Sequence, residues 1–199
     1  VEGVSRLVAP GATVSFDYHC ALMSLPGFLN HVPYSRPGSY LPTPTPVTLD
    51  MALGDAEPGQ KIGLVWAGNP RHANDLNRSQ ELVAFSPLSH PALSFYGLQK
   101  GGAARQSPPP GMNFQNLGDG FEDFQDTARA VLALDLLITV DTSMAHLAGG
   151  LGLPVWVLLP TVADWRWQRD RDDSPWYPTM RLFRQDVGEN WSSVMGRVA

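Results

Sequence analysis

From residue 60 onward the sequence alternates short, mostly apolar runs with segments of helical periodicity, and this alternation constrains the fold more than any other feature. The runs cover residues 62–66, 93–98, 136–140, 155–159 and 180–183, with 112–117 a weaker sixth. Between them, Phe124, Ala128, Val131 and Leu132 fall on one helical face within residues 123–134, and Asp123 or Asp126 can cap its start. A shorter helix is expected over 79–88, with Asn77 and Gln80 spaced as a capping box, and another over 190–198 behind an Asn cap. Strands that are apolar on both faces and alternate with helices must be covered on both sides, which implies a parallel sheet. The expected fold class is therefore α/β, a Rossmann-like parallel sheet with helices on both faces, spanning residues 60–199.

The first 59 residues have a different character. Residues 4–8 and 14–18 read as short strands, followed by "HCALMSLPGFLN", and together 1–30 are too few for a domain. Residues 31–59 are punctuated by proline and glycine, a composition that favours extended backbone and reads as a linker or a strap across a surface.

Charge and cysteine content narrow the function classes. A formal net charge of −5 argues against a nucleic-acid surface, which needs a basic face, but leaves small anionic ligands open. The single cysteine, Cys20, excludes an internal disulfide and fits a reducing compartment. No apolar run reaches the length of a transmembrane helix and no signal pattern opens the sequence, so the expected location is cytoplasmic.

In a parallel sheet with right-handed crossovers every strand's carboxyl end lies on one edge, so the loops after the strands form the list of candidate site residues. After residue 140 come Asp141, Thr142 and Ser143, at the start of a helix whose unpaired N–H groups and dipole suit a phosphate. Asp141 reads as the helix cap or as an acceptor for a sugar hydroxyl. His146, one turn in, reads as a ligand-contacting group or as a satisfied core residue. Ala145, Ala148, Gly149 and Gly150 are small enough for the helix to pack close to the sheet. The loop after residue 66 carries Gly68, Asn69, Arg71, His72, Asn74 and Arg78, and its alternatives are a phosphate-binding loop, with Arg78 gripping a diphosphate, and a solvated basic loop. Trp165, Trp167, Trp176 and Tyr177 form an aromatic rim that could stack a sugar or base, cover the sheet edge or bury an adjoining domain. The acidic residues Asp170, Asp172 and Asp173 alternate with Arg169 and Arg171, as in a salt-bridged surface loop. There is no P-loop, no G-x-G-x-x-G after a strand, no G-x-S-x-G elbow, and no paired cysteine or H-E-x-x-H zinc pattern.

The segments "GLVWAGNPRHANDLNRS", "DFQDTARAVLALDLLITVDTSMAHLAGGLGLPVWVLLP" and "DWRWQRDRDDSPWYPTMRLFRQ" resemble the C-terminal glycosyltransferase-like domain of bacterial tetratricopeptide-repeat proteins, related to the heptosyltransferases (glycosyltransferase family 9). The resemblance covers essentially all of residues 60–199, while "GVSRLVAPG" and "FDYHCALMSLP" resemble the tail of the preceding half-domain. It implies the C-terminal half of a GT-B glycosyltransferase, which holds a nucleotide-diphosphate sugar without a cofactor or metal. On this resemblance Asp141, Thr142, Ser143 and His146 would surround the donor diphosphate and its sugar. Arg78 matches the position of a phosphate-binding lysine. Asp123, Asp126 and Thr127 lie where the family meets the base or ribose. The repeats and the region that carries an acidic catalytic base have no counterpart, so the chain reads as a donor half without its acceptor half, weak or inactive by itself, with His146 as a possible catalytic residue. The implied partners are a nucleotide-sugar and a protein or glycan acceptor, with self-association through the inter-domain face. The alternatives are a non-catalytic binding or scaffold module and a sugar-nucleotide epimerase-like protein.

Overall fold

The computed structural model of the chain describes residues 6, 8–21, 38–44 and 59–199. The chain divides into two units, Val1–Pro33 and Tyr34–Ala199. In the first unit the described residues are irregular and, apart from half-buried Val14, exposed, with a turn closed by the Ala12 N–H on the Ala9 carbonyl. The strand expected over 14–18 does not form: no backbone ladder reaches it, and Phe16 and Tyr18 are exposed. Of the strand expected over 4–8 only residues 6 and 8 are described, neither in a strand. Residues 22–30, and most of the expected 31–59 linker, lie outside the described residues.

In the second unit six parallel strands form one sheet: β1 (Gln60–Val65), β2 (Leu93–Gly97), β3 (Phe114–Asn116), β4 (Leu136–Val140), β5 (Val155–Leu159) and β6 (Met180–Arg184), in the order β3-β2-β1-β4-β5-β6. Every neighbouring pair is parallel, for example Gly63 opposite Leu137 between β1 and β4. The fold is thus α/β and Rossmann-like. Its four α-helices among the described residues are α1 (Asp75–Arg78), α2 (Phe124–Leu132), α3 (Ser143–Leu151) and α4 (Trp191–Val198).

Alternation along each strand sends side chains into two separate cores. Leu137, Val155, Val157 and Leu159 meet Ala128 and Val131 of α2 and Ala145 and Ala148 of α3. Ile62, Leu64, Trp66, Ile138 and Leu158 face the other way, onto Leu82, Phe85, Val194 and Met195. Both faces are therefore dry, which is why the strands read as nearly unbroken apolar runs.

The helix expected over 79–88 takes another form. Its α-helical turn ends at Arg78, Ser79 is extended, and a 3₁₀ helix runs over Leu82–Leu88 with Pro87 inside it. The Asn77–Gln80 capping box does not form, because each group has a different partner: Asn77 donates to Asn74 Oδ1, and the Gln80 N–H donates to the Trp66 carbonyl. Pro87 lacks the donor that an α-helical continuation needs. Two other capping expectations hold: Asp123, of the two candidates Asp123 and Asp126, caps α2, and Asn190 caps α4.

Strand order reverses between β1 and β4. Successive strands step one way from β1 and the other way from β4, so their carboxyl ends splay apart and leave a crevice at that point.

Candidate functional site

The crevice holds two adjoining lobes of about 400 and about 460 Å³. Arg78, Thr142 and Ser143 line both, and so form the seam between them. The first lobe lies toward β2 and α2, where Gly68, Asn69, Gln99, Lys100, Asp123 and Thr127 contribute. The second lies toward the loop after β5, with His72, Asn74, Asp141, His146, Asp164 and Arg166. All five loops after β1 to β5 therefore reach the crevice.

The seam is built from the loop between β1 and α1. Arg78 is buried, its Nε 3.2 Å from Asp75 Oδ1, and its Nη1 donates to the Asp141 main-chain carbonyl at 2.6 Å. Asp75 also accepts from the Ser79 hydroxyl at 2.9 Å, and that hydroxyl accepts the Gly68 N–H at 2.8 Å. Gly68 is the residue that lets this pair sit against the backbone: a Cβ there would overlap the Arg78 guanidinium and the Asp75 carboxylate. Gln99 Oε1 accepts the N–H groups of Trp66 and Ala67 at 3.2 and 2.9 Å, holding the strand end from the β2 side. The expected diphosphate fork of Arg78 is thus partly engaged: one bond holds it to Asp75 within α1 and a second ties it to the start of α3, which fixes the guanidinium at the seam.

The start of α3 departs from one expectation. Its cap is Thr142, whose hydroxyl accepts the Met144 N–H at 3.3 Å and lies 3.2 Å from Thr139 Oγ1. Asp141 is not the cap. Its carbonyl takes the Arg78 bond, and the residue lines the second lobe alone. Ser143 is exposed at the seam. A hydroxyl cap leaves the helix dipole unopposed at this point.

His146 follows one turn later and is half-buried. Its ring stacks on Trp167 at 5.1 Å and 12°, and its Nδ1 lies 2.9 Å from Tyr177 Oη. Burial pushes its pKa below the ordinary 6.5; Asp141 acts against this shift, Arg166 adds to it and Asp164 opposes it. The ring is accordingly neutral near pH 7.

Several expected site residues lie elsewhere. Trp167 is fully buried beneath His146 and is no part of a rim. Trp176 is half-buried with its indole N–H on the Arg166 carbonyl, while Trp165 is exposed beside it with Arg166 over its face. Neither lines a lobe. Arg71 is exposed and lines neither lobe, and its own N–H folds back on Asn69 Oδ1. Asp126 also lines neither lobe: its carboxylate accepts the Glu122 N–H at 3.0 Å and pairs with Arg129 at 2.8 Å. Asp123 and Thr127 do line the first lobe, though Asp123 Oδ1 already takes the N–H groups of Gln125 and Asp126. Gly149 does let α3 close on the sheet, since a Cβ there would overlap Met180 of β6 and the Tyr177 ring, whereas Gly150 faces the strap, where a Cβ would crowd Leu41. The acidic loop is surface chemistry, as expected, with Arg171 and Asp173 paired at 2.7 Å.

Sequence reasoning passed over Asp75, Gln99, Asp164 and Arg166. Asp75 had one readable signal, an i, i+3 spacing to Arg78. Among the described residues no group of His, Cys, Asp and Glu could hold a metal ion, and no helix is long and apolar enough to cross a membrane.

No family model matches the chain. The chain is similar to Protein FlbA of Caulobacter vibrioides, with 28% identity over 156 residues, which make up 71% of this chain and 25% of that protein. It therefore spans about a quarter of the length of that relative.

Proposed function

We propose that this unit binds the donor of a glycosyltransferase reaction, a nucleotide-diphosphate sugar, with the diphosphate at the seam, the nucleoside in the first lobe and the sugar in the second. One observation carries the reading: two lobes meet at a point where a hydroxyl-capped helix start and a buried guanidinium converge, at the switch point of a parallel sheet. An anion at that point would replace water on the first-turn N–H groups of α3 and meet Arg78 without displacing it. The flanking lobes have the chemistry for the two ends of such a molecule. The first offers Phe124, Leu98 and Met144 beside Asp123 and Thr127, apolar surface with acceptors for ribose hydroxyls. The second is more polar, with Asp141, His146 and Asn74 able to meet sugar hydroxyls. The helix dipole and Arg78 would stabilise charge on the departing diphosphate without calling for a metal.

Isothermal titration of this chain with UDP-, GDP- and ADP-sugars, and with the matching diphosphates, tests the reading. Saturable binding of one nucleotide class is expected. Absence of heat or of thermal stabilisation with all of them at millimolar concentration would overturn it.

A further inference from the structure

The proline-rich strap and the second lobe are connected through three side chains. Residues 38–44 lie along α3, where the Tyr40 and Leu41 N–H groups both donate to the Gly150 carbonyl at 3.0 Å and Ser39 Oγ donates to it at 3.1 Å. That carbonyl belongs to the last turn of α3, where helices leave acceptors without partners. Anchored there, Tyr40 stacks on Tyr177 at 6.2 Å and 23°, with 3.3 Å between the two phenol oxygens. Tyr177 Oη in turn lies 2.9 Å from His146 Nδ1. The close approach of Tyr177 and the strap to α3 depends on Gly149 and Gly150, where any Cβ would meet the Tyr177 ring and Leu41.

The direction of this chain of hydrogen bonds follows from acid–base chemistry. A phenol has one hydrogen, and Tyr177 has two oxygen or nitrogen neighbours to share it between. Imidazole nitrogen is a much stronger base than a phenol oxygen, so the hydrogen goes to Nδ1, along the shorter contact. Burial, then the bond with Tyr40, pushes the Tyr177 pKa well above its ordinary 10, so the hydrogen is always there. Tyr40 then donates to Tyr177. With Nδ1 occupied as an acceptor, a neutral His146 carries its only hydrogen on Nε2.

We infer that Tyr177 and Tyr40 are positioning residues that lock His146 as the Nε2–H tautomer, making it a hydrogen-bond donor to an oxygen of the ligand in the second lobe and not a proton acceptor there. This rests on the donor-site reading for the identity of the ligand, a sugar attached to a diphosphate, but not for the tautomer. It assigns the strap a part in the site: a segment more than a hundred residues away in sequence sets which end of an imidazole bears the proton. It also removes His146 as the base that would activate an acceptor hydroxyl.

Two readouts test it. Long-range ¹H–¹⁵N correlation of the histidine rings, with the His146 signals assigned through His146→Gln, should report the Nε2–H form in the wild-type chain. Tyr177→Phe should convert it to a mixture or to the Nδ1–H form. Tyr40→Phe, which leaves the 2.9 Å contact in place, should move it less. A wild-type Nδ1–H tautomer, or no change in Tyr177→Phe, overturns the inference. In titrations, Tyr177→Phe should weaken the bound nucleotide-sugar about tenfold, the equivalent of one hydrogen bond of about 1.4 kcal/mol, while leaving the sugar-free diphosphate within about twofold. Equal losses for both ligands would overturn the sugar-lobe assignment. A wild-type chain that has the Nε2–H form but binds no nucleotide-sugar would overturn the donor-site reading and leave the tautomer lock standing.

Discussion

Two helices begin at the same crevice and are capped in opposite electrostatic senses. At the start of α2, Asp123 accepts two main-chain N–H groups and Asp126 reaches back for a third, that of Glu122. At the start of α3 a neutral hydroxyl, Thr142, takes one N–H at a longer 3.3 Å, and the guanidinium of Arg78 stands beside it. Either helix has the dipole for an anion, but α2 has already answered its own with two carboxylates. Asp141 does not cancel the difference, because it lines the second lobe and not the seam. The lesson is that a helix start on a ligand-bearing edge is not by itself a phosphate site. The choice of capping side chain decides what charge it will meet.

The largest break in this comparison should come from Arg78→Met. The side chains of Arg78 and Asp75 are 11% and 12% exposed, so removing the cation strands a buried carboxylate. A loss of about 3–5 kcal/mol in urea unfolding is expected, as for other buried pairs cut on one side. Loss of a charge-assisted contact should also weaken nucleoside diphosphate binding by roughly tenfold to a hundredfold. Adding Asp75→Asn separates the two effects: stability should return in part and affinity should not. Diphosphate affinity within twofold of wild type would place the anion somewhere other than the seam.

A smaller and sharper effect comes from exchanging the caps. Thr142→Asp makes α3 resemble α2. Aspartate is as good a cap as threonine, so the unfolding free energy should stay within about 0.5 kcal/mol. The new carboxylate would face the bound diphosphate, and affinity should fall about tenfold. The reciprocal Asp123→Thr keeps a cap on α2 and removes a negative charge from the first lobe, so affinity for inorganic diphosphate, which has no ribose to meet Asp123, should hold or rise. If both exchanges lower affinity alike, cap chemistry does not distinguish the two helices.

The sheet was legible because its residues carry their burial in their chemistry. Runs such as 136–140 and 155–159 are apolar on both faces, and the observed bounds of β4 and β5 match them. The cap of α2 was legible to within two aspartates, Asp123 and Asp126, at the head of an amphipathic run, and Asp123 is the one that caps. Legibility ended where partners come from far along the chain. Nothing local in "DWRW" separates Trp165, which is exposed, from Trp167, which lies under His146, because that depends on how α3 packs. Gly149 and Gly150 announce close packing on the sheet, which Met180 bears out for the first, but nothing local announces Tyr177 or the strap as the other partners. Gln99 holds the β1 end from a neighbouring strand, a contact set by strand order. Residue type alone does not separate Arg71 from Arg78, and the ion pair with Asp75 together with the Asp141 carbonyl turns Arg78 inward while Arg71 stays exposed.

The smallest effect concerns how α2 holds its own charge. The Glu122 N–H on the Asp126 carboxylate keeps that carboxyl below its ordinary pKa of 3.8 against the opposing effect of desolvation, with the Asp123 main chain and then Arg129 adding to the lowering. A carboxyl whose folded pKa is depressed favours the folded state while it is ionised. Its contribution is therefore complete above about pH 3.8 and is lost as pH falls through the lower folded value. Asp126→Asn removes this titration but leaves Asp123 to cap the helix. Urea midpoints measured from about pH 6 to about pH 2 should fall less steeply at the acid end in the variant than in the wild type, with the two curves approaching one another there. Parallel curves would mean that Asp126 takes no part in the charge balance of α2, and that Asp123 alone answers its dipole. In either case diphosphate affinity should be untouched, since Asp126 lines neither lobe.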